Sequence, residues 1–182
     1  TLARCDMDAA DLMIINEKMQ EKSIMKANVR TEKFGLVLSQ EDVHAIITEK
    51  RVTLREERRL ELGESIVPKI IDAFCDSPFI SQNNYLQTLI SLQHIFFEYK
   101  NEMDDEITDD ELLNFMKEQF DGVCYGDTDY LETTCLDVFA RAVRAGYDGL
   151  PASDGRGEYS KLDSVPRWDH ALFLEVLNEL VQ

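Results

Sequence analysis

From Asn83 to Met103 the apolar residues return with the period of a helix. Tyr85, Leu89, Leu92, Phe96, Tyr99 and Met103 are spaced 4, 3, 4, 3 and 4 residues apart, which places them on one stripe. Leu86, Ile90 and Phe97 widen that stripe, so this segment is expected to be a central helix with neighbours on more than one side. Six other segments read as helices. Residues 6–22 carry Leu12, Ile15 and Met19 at helical spacing. Ser39 opens a second helix running to about Arg58, with S-x-x-D at its start and a thin apolar face of Val43, Ile46, Ile47 and Leu54. A third begins near Ser65, with Pro68 in its first turn, where a missing N–H is harmless. It stops before Ser77-Pro78, because the residue preceding proline is pushed out of the α region.

Thr108-Asp109-Asp110-Glu111 is a capping box that starts another helix, with Leu112, Leu113, Met116 and Phe120 as its stripe. Three acids in that first turn suit the positive end of the helix dipole. A segment from about Thr128 to Ala145 carries Leu131, Cys135, Val138, Phe139 and Ala142. Residues 146–166, with four glycines and two prolines, read as a loop. Residues 167–182 carry Trp168, Leu172, Phe173, Val176, Leu177 and Leu180 and read as a last helix, set against the bundle or against a second subunit. Residues 23–38 are an irregular lead-in, with Phe34, Leu36 and Leu38 alternating. The expected fold is therefore all-α: one compact bundle of about six helices over residues 1–182, mostly antiparallel neighbours, with its core in 39–145.

Composition narrows the function classes. With 36 acidic against 19 basic residues the formal charge is −17. Nucleic-acid binding needs a concentrated positive field, and anionic membrane surfaces repel such a chain. Neither partner is expected, whereas a protein partner or homo-oligomer is. No uninterrupted apolar run approaches the ~18 residues of a membrane span. The N-terminal TLARCDMDAADLMII lacks the basic start and long apolar run of a signal peptide, so a cytoplasmic location and reduced Cys5, Cys75, Cys124 and Cys135 are expected. Cys75 reads as a small core residue, and Cys124, in a loop, as the most exposed thiol.

Motifs for catalysis or cofactors are missing. There is no phosphate loop or dinucleotide fingerprint, and Gly63-Glu64-Ser65 lacks the closing glycine of a nucleophile elbow. Glu41-x-x-His44 is a single copy of a motif that di-iron bundles need twice, and three histidines without paired cysteines give zinc little support. No cofactor is expected. The acids deserve more weight. Residues 101–112, NEMDDEITDDEL, hold seven carboxylates, which makes Asp104, Asp105, Asp109 and Asp110 one candidate cation set. An EF-hand register starting at Asp104 fails, because its sixth position is Asp109 rather than glycine. The segment from Asp121 to Glu132 matches better, with Asp121, Asp127, Asp129 and Glu132 at positions 1, 7, 9 and 12 and Gly126 at 6. Val123 and Tyr125 at positions 3 and 5 offer no carboxylate, and an ordinary inter-helix turn followed by a Thr-capped helix is the better reading.

The one basic cluster is Lys50, Arg51, Arg55, Arg58 and Arg59. His44, Arg51, Arg55 and Arg58 fall along one helix face and are candidates to meet the acids of 102–111, within the molecule or across a dimer. The alternative is a solvated face interleaved with Glu49, Glu56 and Glu57.

The runs FGLVLSQED, ELGESIVPKIIDAFCDSPFISQNNY and LQHIFFEYKNEM, with the following DDEL and FM, resemble a bacterial domain family of unknown function made of short acidic helical proteins. The resemblance covers about Phe34 to Ala145. It implies a cytoplasmic helical protein and brings no catalytic or binding residues with it. By elimination, the sequence favours a non-enzymatic protein-interaction or regulatory module with an acidic surface. A divalent-cation protein, structural or hydrolytic, is the alternative. A mimic of DNA, with carboxylates in place of phosphates, rests on net charge alone.

Overall fold

The computed structural model of the protein describes residues 8–144. Six helices follow one another, with no strand among the described residues: α1 (Ala9–Thr31), α2 (Gln40–Glu56), α3 (Val67–Phe74), α4 (Tyr85–Glu102), α5 (Asp109–Asp121) and a composite α6. The all-α bundle expected from the hydrophobic pattern is what forms. The loop expected over 146–166, the helix expected over 167–182 and Cys5 lie outside the described residues.

Local chemistry accounts for most helix ends. Ser39 accepts from the Asp42 N–H while Asp42 accepts from the Ser39 N–H, and Thr108 and Glu111 repeat that exchange at the head of α5. Two otherwise orphaned donors are satisfied at each start. Pro68 sits in the first turn of α3. The corner between α3 and α4 is closed by Asn84, which accepts from Ser81 N–H and donates to the Phe79 carbonyl. Phe79 and Ile80 turn inward there and pack on the core.

Helix α4 lies at the centre, in contact with α2, α3, α5 and α6. Leu92, Ile95 and Phe96 are buried along it. Phe120 of α5 meets Phe74 of α3 edge to face at 5.4 Å, and Phe115 stacks on Phe139 of α6 at 3.9 Å. Truncating a buried phenylalanine of this kind to alanine costs roughly 3–5 kcal/mol.

Helix α1 departs from its sequence pattern. It buries Ile24, Ala27 and Thr31 in its C-terminal half. Leu12, Ile15 and Met19 do face one side, but that side is solvent, and each is at least 43% exposed. Nine residues at 3.6 per turn is about two and a half turns, so Ile15 points directly away from Ile24. The helix thus has a buried apolar face in its C-terminal half and an exposed apolar stripe on the opposite side toward its N-terminus, where Met13 and Ile14, off that stripe, are exposed as well.

The other departure is α6. It begins as α-helix (Thr128–Tyr130), widens to π-helix (Leu131–Leu136) and returns to α-helix (Asp137–Arg144). The turn before it depends on Gly126, at φ +79°. A Cβ there would lie 2.4 Å from Cβ of Phe79. Close approach to the core, rather than cation geometry, explains the glycine at the sixth position of the 121–132 segment. Cys124, expected to be exposed, is buried with its Sγ 3.6 Å from that of Cys135. The loop folds back onto α6 instead of standing away from it.

Candidate functional site

The acids singled out in the sequence are dispersed by their partners. Arg59 grips Asp105 with two hydrogen bonds of 2.8 and 3.0 Å, and this guanidinium holds the Asp105 carboxyl below the usual carboxylate range. Lys100, nearly buried, donates to the Ile107 carbonyl at 2.6 Å and lies 3.1 Å from Asp109. Lys69 reaches Asp110 at 3.2 Å. Arg59 holds Asp105, Lys100 also lies 3.5 Å from Asp105, between it and Asp109, and Lys69 holds Asp110, so lysine and arginine side chains already neutralise these acids, while Asp104 stays exposed. The set Asp104, Asp105, Asp109 and Asp110 does not gather around a common point.

The second set separates as well. Asp121 accepts from Ser77 Oγ at 2.5 Å and pairs with Lys117 at 3.1 Å. Asp127 caps α6, accepting from the N–H groups of Asp129 and Tyr130. Only Asp129 and Glu132 border the same cavity. The four do not converge on one point among the described residues, because the first and seventh positions are engaged by other groups.

The basic face divides in the same way. Arg51 pairs with Glu17 of α1 at 2.7 Å, not with the acidic segment. His44 and Arg55 lie exposed on α2, and Arg58, at φ +53°, is past its end. Lys50 is buried and is held by Gln20, Glu61 and Ser65. The basic cluster does meet the 102–111 acids within the molecule, but through Arg59, just beyond the predicted stripe.

The arrangement that does converge is His94, Glu98 and Glu132. One ligand atom from each lies within 4.8 Å of the others, the one such group among the described residues. His94 and Glu98 are four residues apart on α4, so they share a face. Their Nε2 and Oε2 atoms are 3.9 Å apart, an ion pair only when the imidazole is protonated. Glu132 comes from the π-helical part of α6. Its backbone carbonyl accepts the phenol proton of Tyr99, the neighbour of Glu98. That bond fixes the widened turn against α4 and sets the Glu132 side chain opposite Glu98. The sequence carried a signal for half of this, H-x-x-x-E over residues 94–98. That spacing differs from the E-x-x-H order of di-iron ligands, in which Glu precedes the histidine by three residues.

Electrostatically the site is frustrated. Oε2 of Glu98 is buried without a hydrogen-bond partner. Burial first, and then the facing Glu132 carboxylate, push the Glu98 carboxyl up to about 7. Glu57 and Glu102 add to the negative field. Beside the cluster lies a cavity of about 330 Å³ bordered by Glu49, Glu56, His94, Asp129 and Glu132, with Val52 and Ile95 among its apolar walls.

Fold and site together define an all-helical protein that holds one imidazole and two carboxylates together beside an acid-lined cavity. The chain belongs to the family of unknown function DUF6323, whose model matches residues 23–149. That match begins where α1 starts to contribute to the core, at Ile24. No curated protein and no solved structure matches the chain. No helix among the described residues is long and apolar enough to cross a membrane.

Proposed function

We propose that this is a divalent-cation-binding helical protein whose ligands are His94, Glu98 and Glu132. The observation that carries this reading is the convergence of three ligand atoms from two helices within 4.8 Å. One nitrogen and two carboxylate oxygens suit a first-row transition metal such as Zn²⁺ or Mn²⁺ better than Ca²⁺, which takes six to eight oxygens. Ligand atoms around a tetrahedral zinc with bonds of ~2.1 Å lie roughly 3.4 Å apart, so half-exposed side chains close the gap with small rotations. Three protein ligands leave one position open, and the cavity gives it access to solvent. A cation between Glu98 and Glu132 would replace their repulsion with attraction. The densest acidic segment, 102–111, is partly neutralised, since Arg59, Lys100 and Lys69 engage its Asp105, Asp109 and Asp110, whereas the facing carboxylates of Glu98 and Glu132 have a defined convergence point, which favours the cation reading.

The test is calorimetric titration of chelator-treated protein with Zn²⁺ and with Mn²⁺, alongside thermal unfolding. One-site binding, with a raised midpoint for wild type and not for His94→Ala with Glu132→Gln, is expected. Saturation at a hundred times Kd contributes about 2.7 kcal/mol. No heat and no shift with either metal overturns the proposal.

A further inference from the structure

The N-terminal half of α1 presents an apolar face to solvent, and its flanking charges indicate what covers it. Leu12, Ile15 and Met19 form the centre of that face, 51%, 43% and 66% exposed. At 3.6 residues per turn, Asp8 and Asp11 fall on the same side toward the N-terminus, and Lys18 and Lys22 on it toward the C-terminus. All four are exposed. The face therefore reads acid, apolar, base along its length.

Such an order is complementary to itself when reversed. We infer that α1 pairs antiparallel with α1 of a second copy of this chain, the two helices crossing at Ile15. In that arrangement Leu12 of one copy meets Met19 of the other. Asp8 and Asp11 of each copy approach Lys22 and Lys18 of its mate. A two-fold axis requires this reciprocity, residue i on j and j on i.

Charge makes the location specific. The chain carries 36 acids against 19 bases, so most surface-to-surface encounters between copies set like charges together. The outward face of α1, with two acids and two bases around an apolar centre, is locally balanced. Toward the C-terminus the same helix turns Ile24, Ala27 and Thr31 to its own bundle, so the outward face is open for a partner without disturbing the fold. About fifteen residues at 1.5 Å each give a contact roughly 22 Å long. Across a helix about 10 Å wide this is roughly 220 Å² per copy, small against the ~1,200–2,000 Å² of stable complexes, so the expected dimer is weak and concentration-dependent.

The inference is independent of the cation proposal, and its readout is mass rather than metal binding. Sedimentation velocity of the whole chain, from micromolar to millimolar, is compared for wild type, Ile15→Asp, Lys22→Asp and the double variant Asp8→Lys with Lys22→Asp. The wild type is expected to shift toward dimer with concentration. Ile15→Asp is expected to remain monomeric with an unchanged thermal midpoint, because Ile15 takes no part in the core. Lys22→Asp is expected to weaken the dimer about tenfold, and the double variant to recover it. A wild type that stays monomeric into the millimolar range overturns the inference. So does a dimer that Ile15→Asp leaves intact, or a double variant no better than Lys22→Asp.

Discussion

Tyr99 of α4 donates its phenolic proton to the backbone carbonyl of Glu132, in the π-helical stretch of α6. Tyr99 is nearly buried, and burial raises its pKa well above that of a free phenol, so it acts as a donor at any physiological pH. A π-helical turn leaves carbonyls poorly served by their own helix, and such turns persist where an outside group compensates. Tyr99→Phe removes that compensation and keeps the ring. It is expected to cost about 1–3 kcal/mol, the range for an orphaned polar group. Denaturant unfolding reads the loss. The same variant is expected to weaken cation binding relative to wild type, because Glu132 loses its anchor.

Glu98 makes the protein less stable as the solution becomes less acidic. Its carboxyl ionises near 7 in the fold against 4.5 when free, so the folded state holds a proton that the unfolded chain releases. The contribution of Glu98 to stability is therefore highest below the unfolded value, declines as pH rises between the two values and levels off above about 7. Glu98→Gln removes the ionisation. In chelator, the variant is expected to be more stable than wild type at pH 8 and close to it at pH 4, by urea midpoint. Equal midpoints at both pH values would show that Glu98 is not strained by its neighbours.

Most of the frame was legible in the sequence, because helix signals are local. The capping boxes at Ser39 and Thr108, the proline in the first turn of α3 and the stripe of α4 each act within a few residues. The site was only partly legible. Glu132 was already a candidate, but its assigned partners were its sequence neighbours Asp121, Asp127 and Asp129. The side chains it meets in the fold, His94 and Glu98, are on α4, and a π turn, which no residue pattern announces, sets the register that brings them together. The acidic segment misled for a related reason. Seven carboxylates within ten residues suggest a cation, yet Arg59, Lys100 and Lys69 already pair with three of them. Leu12, Ile15 and Met19 were at true helical spacing, but period alone does not say whether a stripe faces the molecule's own core.

Acid should loosen the joint between the segment after α2 and the end of α4. Arg59 lowers the Asp105 pKa, and Lys117 lowers that of Asp76. A depressed carboxyl contributes stability above its unfolded pKa and loses it as pH falls through the folded value. Asp105 is about half exposed, so solvent screening keeps this below about 1 kcal/mol. Arg59→Gln is expected to lower the urea midpoint at neutral pH and to approach the wild type at roughly pH 2. A constant offset at both would mean that Arg59 acts through its bond to Asn101 rather than through Asp105.

Gly126 links the loop after α5 to the core beneath it, and two separate constraints meet there. Its φ of +79° is one that residues with a Cβ rarely adopt, and the Cβ itself would collide with Phe79, an atom near the backbone that cannot swing away. Phe79 in turn packs edge to face on Phe120, so a displaced Phe79 disturbs the aromatic cluster between α3 and α5. Gly126→Ala is therefore expected to destabilise by more than the ~1 kcal/mol of backbone strain alone. Adding Phe79→Gly, which takes away the colliding Cβ itself, separates the two effects. If the clash dominates, the double variant costs less than the sum of the two single changes, because the second cavity relieves the first collision. Strict additivity in urea unfolding would instead assign the whole effect of Gly126→Ala to its positive φ.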